Sequence, residues 1–340
     1  MLLGHGDDLF RYDGKIKMNF SSNLPGFADL TGLKVYLARR LDIIGAYPEP
    51  EATSLETMLA DKMGIPQECV MVTAGATEAI YLIAQLFRGW ASVIPQPTFS
   101  EYEDACQIND HIIGHYDDDR ERLPDKRVYW LCNPNNPTGY VMLKALMNHL
   151  VRQQRKYVFV IDQSYEHYTK KEVLQPMEML DCHNLILIHS MTKRYCIPGL
   201  RLGYVTASPT LISHLRQLRQ PWTVNALAIE AGKYLVGNDV EVVPDKQAYL
   251  EEAERLHARL SSLPGLRLTD SDANFMLAYL ENGSAAHLKQ WLVERHGILI
   301  RDASNFRGLD HHYFRVSAQT PDEDNALVSA VEAYLPNQQH

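Results

Sequence analysis

At 340 residues the chain is long for one core, which predicts a large unit with a smaller one beside it. An apolar content of 46% and a charged content of 22% are those of an ordinary globular protein, and a net charge of -9 with no basic stripe argues against a nucleic-acid binder. The longest apolar stretch, Ala79 to Phe87, is broken by Gln85 and falls far short of the roughly 20 residues a membrane span needs.

Residues 1 to about 30 are rich in turn formers and are expected to pack against the end of the chain. Their start, Met1 to Asp8, lacks the basic and apolar pattern of a secretory signal. From Cys69 to Thr73 a short apolar run predicts a buried strand, and Gly75 to Arg88 predicts a helix with Ala79, Ile80, Leu82, Ile83, Leu86 and Phe87 on its apolar face. The same alternation continues through a strand at Ala91–Ile94, a helix at Glu101–Ile108 and a strand at His111–Ile113. Further strands are expected at Arg127–Cys132, Tyr157–Ile161 and Leu185–Ile188. Near-continuous apolar strands alternating with helices imply an α/β fold with a mostly parallel sheet covered on both faces. Helices are then expected at Pro209–Arg219, Ala226–Val236 and Asp245–Ser261. The end of the chain reads as a separate α+β lobe. Its strands are Gly265–Thr269, Phe275–Leu280, Ile298–Arg301 and Tyr313–Ser317, and its helices Ala285–Arg295 and Pro321–Tyr334. The expected division is a large domain over 31–240 and a small one from 1–30 plus 241–340.

Five cysteines (Cys69, Cys106, Cys132, Cys182, Cys196) are scattered, without a C-x-x-C pair. They suggest neither a disulfide framework nor a zinc site, and the expectation is buried free thiols in a reducing cytoplasm and no metal.

The chemically interesting residues fall just after the predicted strands, where ligands bind in open α/β sheets. Lys193 lies in Ser190-Met191-Thr192-Lys193, with Arg201 eight residues on. A lone lysine is by default a solvated one, but this one follows an apolar strand. Asp162 ends another apolar run, with Tyr165 three residues later. A buried carboxylate needs a partner, and a pyridine nitrogen is a suitable one; capping the next segment is the plain alternative. Asn136 sits in the turn-forming run Asn133-Pro-Asn-Asn-Pro-Thr-Gly139. Gly75, Ala76 and Thr77 open a helix after a strand, where backbone N–H groups and the helix dipole favour a phosphate. Ser190, Thr192 and Arg201 add hydroxyls and a planar donor fork for the same anion. Phe99 is placed to stack on a ring, unless it is simply a core aromatic. Arg315 and Arg301 are cations in or after apolar strands of the last lobe, suited to a carboxylate or phosphate and equally to a structural ion pair. An amine for an aldehyde, a carboxylate for a ring nitrogen and a cradle for a phosphate are the equipment of a pyridoxal 5'-phosphate (PLP) enzyme.

These stretches resemble fold-type I PLP enzymes of the class I/II aminotransferase family, over nearly the whole chain from about Asn19 to Val328. Within it the chain looks like the branch of histidinol-phosphate aminotransferase and threonine-phosphate decarboxylase. Gly4-His-Gly6, Asn19-Phe-Ser-Ser-Asn23, Gly75 to Ala79, Pro97 to Tyr102 and Gly297 to Phe306 lean toward the decarboxylase. The resemblance implies that Lys193 binds the cofactor covalently and that Asp162 partners its ring nitrogen. Asn136 and Tyr165 would meet the ring oxygen, and Phe99 would stack. Ala76, Thr77, Ser190, Thr192 and Arg201 would hold the phosphate. It assigns Tyr47 to the phosphate of a neighbouring subunit, hence a homodimer, and Arg315, Arg301, Asn23 and His5 to the substrate. Arg307 stands where decarboxylase-like sequences tend to carry proline, and is expected as an added cation near the substrate end. The implied activity is an aminotransferase acting on a small, phosphorylated amino acid or amino alcohol. The alternatives are a threonine-phosphate decarboxylase of cobalamin biosynthesis and, remotely, a catalytically silent PLP-binding regulator.

Overall fold

The computed structural model describes residues 8–12, 14–115 and 123–335. His5 lies outside the described residues. Thirteen strands are described: β1 Met18–Asn19, β2 Val70–Thr73, β3 Ala91–Val93, β4 Ile112–Gly114, β5 Arg127–Cys132, β6 Val158–Asp162 and β7 Leu185–His189, then β8 Gly203–Ala207, β9 Leu266–Leu268, β10 Phe275–Leu280, β11 Ile298–Leu299, β12 Arg301–Asp302 and β13 Tyr313–Ser317.

A seven-stranded sheet runs in the order β2-β8-β7-β6-β5-β3-β4. Its strands are parallel except β8, which runs antiparallel to both β2 and β7. The reason the strands read as unbroken apolar runs is visible in β7. Leu185 and Leu187 pack on one face with Phe159, Ile161 and Met147, while Ile186 and Ile188 pack on the other with Val160, Trp130 and Ile80. With both faces covered, the first four residues of this strand are apolar, and its polar residue, His189, comes at the end. Each such aliphatic residue contributes about 1.5–3 kcal/mol of transfer free energy.

Strand β8 was not expected. Gly203-Tyr-Val-Thr-Ala207 is buried throughout, and a Cβ on Gly203 would lie 2.8 Å from the His189 carbonyl oxygen and 2.9 Å from the Ala76 nitrogen. The strand wedges between two others at a spacing only glycine permits. Helices Thr31–Ala38, Thr53–Met63 and Lys144–Gln153 also went unread.

The end of the chain forms a four-stranded antiparallel sheet, β12-β13-β10-β9. The expected single strand Ile298–Arg301 is two: β11 pairs in parallel with β1, and β12 pairs with β13. The backbone changes sheet at Ile300, so each half finds a different partner. The N-terminal segment is thereby stitched to the end of the chain. Arg315 Nη2 donates to the Ser21 carbonyl at 2.6 Å, and Gln319 Nε2 donates to the Leu24 carbonyl at 3.0 Å.

Candidate active site

A cavity of about 580 Å³ opens at the carboxyl ends of β5, β6 and β7. Cys132, Asp162 and Ser190 mark those three strand ends in its wall.

Lys193 rides on the one-turn helix Met191–Arg194. Ser190 caps it, its hydroxyl accepting from the Lys193 N–H at 3.3 Å. The turn is held from two further sides. The Thr192 N–H and hydroxyl donate to the Leu202 carbonyl at 2.9 and 3.1 Å, and the Tyr168 hydroxyl donates to the Lys193 carbonyl at 2.9 Å. The side chain reaches the cavity, where Nζ donates to the Ser22 carbonyl at 3.2 Å and lies 5.6 Å from the centre of the Tyr165 ring.

Asp162 is the last residue of β6 and only 3% exposed. Burial pushes its carboxyl up. Opposing that, the Ser164 N–H donates to Oδ1 and the Tyr102 hydroxyl to Oδ2, each at 2.8 Å, and His189 also favours the anion. Tyr102 was missed from sequence. Its signal was there, since it follows Phe99 by one helical turn and faces the same way. Its ring stacks on Trp130, with centroids 5.7 Å apart. Beneath, His189 is buried with Nδ1 2.9 Å from Glu166 Oε1 and its ring 4.5 Å from that of Tyr204. Burial alone would raise the Glu166 carboxyl; His189 and His167 override it and hold it well below the usual range.

At one end of the cavity Gly75 has φ +86°, and a Cβ there would lie 2.7 Å from Arg201 Nη2, so only glycine lets the guanidinium settle on this turn. Ala76 and Thr77 begin the helix Ala76–Leu86, and they line the cavity with Ser190, Thr192 and Arg201. Backbone N–H groups, hydroxyls and a guanidinium converge there as an anion cradle. At the other end stand Arg315 and Arg301, directly paired across β13 and β12. Arg315 is 3% exposed and donates to Asn136 Oδ1 and to the Ser21 carbonyl; its Nε has no partner among the described residues. Burial, with Arg301 nearby, pushes its guanidinium down to about 10. Arg301 donates to Asn305 Oδ1 at 2.7 Å. A pocket with two neighbouring buried cations is suited to anionic groups.

Phe99, Asn136 and Tyr165 also line the cavity. Other expected residues do not. Asn23 is fully buried with a left-handed φ of +57° and, among the described residues, no partner for either side-chain polar atom, but it lies behind Ser22 and Leu24 in the wall. Tyr47 is 84% exposed, its ring 5.2 Å from that of Trp222. Arg307 is not a spare cation at the substrate end: its Nε and Nη2 grip both carboxylate oxygens of Glu103 at 2.8 and 2.5 Å.

Comparison with known proteins bears on what this arrangement serves. The family model for class I and II aminotransferases matches residues 15–331. A crystal structure of L-threonine-O-3-phosphate decarboxylase from Porphyromonas gingivalis superposes with a TM-score of 0.90 at 36% identity, covering 94% of this chain and all of that one. The adenosylcobalamin biosynthesis bifunctional protein of Leptospira interrogans is 30% identical over 96% of this chain, which spans 40% of that protein's length. The histidinol-phosphate aminotransferase of Caldanaerobacter subterraneus is 28% identical, covering 86% of this chain and 85% of its own.

Proposed function

The chain belongs to the class I and II aminotransferase family of PLP-dependent enzymes, and we propose that it breaks a bond at Cα of a small phosphorylated amino acid or amino alcohol. One observation carries this reading: an amine, a buried carboxylate, an anion cradle and two buried guanidinium groups share one cavity. The residues fit the cofactor, because the glycine-lined cradle at Gly75 and the carboxylate of Asp162 offer a phosphate and a ring nitrogen their counterparts.

When bound, the cofactor supplies an aldehyde for amines and a ring that accepts the electron pair of the broken bond. Lys193 would hold it through Nζ and would move the proton at Cα of the substrate. Asp162, whose burial raises its carboxyl while Tyr102 and Ser164 favour the anion, would be the partner for the ring nitrogen. Asn136 and Tyr165 would meet the ring oxygen, Phe99 would stack on the ring, and Ala76, Thr77, Ser190, Thr192 and Arg201 would hold the phosphate. Arg315 and Arg301 bind the anionic groups of the substrate. Arg315 would hold the substrate carboxylate, and Lys193 would carry the Cα proton toward transamination.

Decarboxylation is a second reading, favoured by one observation: the 36% identical solved structure is a phosphothreonine decarboxylase. Here the arginines would hold the substrate phosphate, the bond from Cα to the carboxylate would break with loss of CO2, and Lys193 would return a proton to Cα. Two half-reactions separate the readings. Glutamate converts the bound cofactor to its amine form if transamination is right, and O-phosphothreonine releases CO2 if decarboxylation is right. Failure of both, with histidinol phosphate also inert, removes the substrate class.

The same reading puts the chain in a homodimer. Val35, Leu41, Ile44, Tyr47 and Trp222 are large apolar side chains left 47–84% exposed. A second copy covering them would bring Tyr47 toward its partner's phosphate cradle, and a monomer by light scattering would refute it. Residues 31–240 then act as the cofactor domain, with 1–30 and 241–340 as the smaller one. Among the described residues no helix is long and apolar enough to cross a membrane, and the five unpaired cysteines suit the cytoplasm.

A further inference from the structure

We propose that Arg307 and Glu103 are a positioning pair, a strap that holds the loop 303–309 against the helix Glu101–Ile108 and so fixes Arg301 and Phe306 at the substrate end. This rests on the reading that a phosphorylated amine enters the cavity.

The pair joins residues 204 apart in sequence through two parallel hydrogen bonds. Exposed ion pairs are worth little, but this one is asymmetric: the Glu103 side chain is 8% exposed and that of Arg307 53%. Burial would raise the Glu103 carboxyl, yet the guanidinium fork holds it below its usual range. Gln107 adds a donor to Oε1 at 3.1 Å. The carboxylate is therefore built to receive a cation, and the loop delivers it.

What the loop carries makes the strap matter. Asn305 accepts from Arg301, and the Phe306 ring lies 5.6 Å from the Arg301 guanidinium, so the two residues before Arg307 both touch the substrate-end cation. The helix at the other end of the strap begins beside Phe99 and carries Tyr102, the donor to Asp162. A second cavity of about 470 Å³ lies between loop and helix, and Ser100 and Phe306 wall both cavities. With that space behind it, the loop has room to shift unless it is tied. The strap thus sets the distance between the cofactor end and the substrate end.

The test uses the PLP-loaded protein with Glu103→Gln, Arg307→Gln, Arg307→Lys and the exchange Glu103→Arg with Arg307→Glu. Melting curves and the cofactor absorption band check folding. Hydrogen exchange at residues 301–309 and steady-state kinetics with O-phosphothreonine and histidinol phosphate are the readouts. Both Gln variants are expected to exchange faster and to raise KM about tenfold with kcat within about twofold, the pattern of lost ground-state positioning. Arg307→Lys stays nearer the parent, and the charge exchange recovers part of the loss. A KM effect in Arg307→Gln alone would make Arg307 a direct substrate ligand and overturn the proposal. So would faster exchange with unchanged KM, or no change in either readout. Should the parent protein turn over neither compound, the substrate reading has failed, and exchange at 301–309 alone decides whether the strap exists.

Discussion

The two ends of the cavity are built by different means. The end proposed for the cofactor is made of strand termini: Asp162 closes β6, Ser190 and Lys193 follow β7, and Gly75 follows β2. One hydrogen-bonded sheet holds these residues, β6 beside β7 and β2 joined to β7 through antiparallel β8, so their spacing is rigid. The end proposed for the substrate is assembled from segments 20–24 and 301–315, joined by side chains such as Arg315, which also ties it to Asn136. A row of strand ends suits chemistry on a rigid ring, whereas a seam of side-chain ties lets the anion sites differ without disturbing the ring.

Substitutions at the two ends should therefore fail differently. The largest effect is expected for Lys193→Ala, which should abolish the cofactor absorption band and cut kcat by about 10³–10⁴-fold, the scale of losing a positioned acid–base group. Retention of the band would break the contrast at once. Arg315→Gln comes next, with KM for a phosphorylated amine raised about 10²-fold while the absorption band and cofactor affinity stay near normal. Loss of cofactor instead would show that the two ends are one unit through Asn136. Tyr102→Phe removes a hydrogen bond to a charged group, worth roughly 1.5–3 kcal/mol. Equilibrium titration of the apoprotein should then show PLP affinity lowered about tenfold or more. KM for the amine should hardly move.

The smallest effect concerns pH. The Glu166 carboxyl has a folded-state pKa held far below 4.5 by His189 and His167. In the window below 4.5 the unfolded chain binds the extra proton, so stability falls as pH falls through it, and is fully present above it. The melting-temperature gap between the parent and Glu166→Gln should be widest at pH 6 and narrow from pH 5 to 3. A constant gap would place the pair outside the sheet-end network.

Much of the cofactor end was legible because its signals are local. An apolar run ending in aspartate, or a lysine among hydroxyls after a buried strand, needs no knowledge of distant neighbours. Phe99, Asn136 and Tyr165 reached the cavity for the same reason. Tyr102 escaped because a tyrosine at a helix start looks like a core residue until its hydroxyl meets a carboxylate sixty positions away. Arg307 misled because the charge of one residue says nothing about whether it is already spent on Glu103.

The sequence by itself determined the strand-and-helix alternation, the positions of the catalytic candidates at strand ends and the kinship that follows from them. These depend on side-chain period and local turn chemistry, which are properties of short segments. Tertiary structure alone decided the order β2-β8-β7-β6-β5-β3-β4, the place of antiparallel β8 and the break at Ile300. It also decided which arginine faces the cavity and which is neutralised. Strand order and ion pairing are settled by contacts between residues far apart in the chain, whose free energies no local pattern encodes.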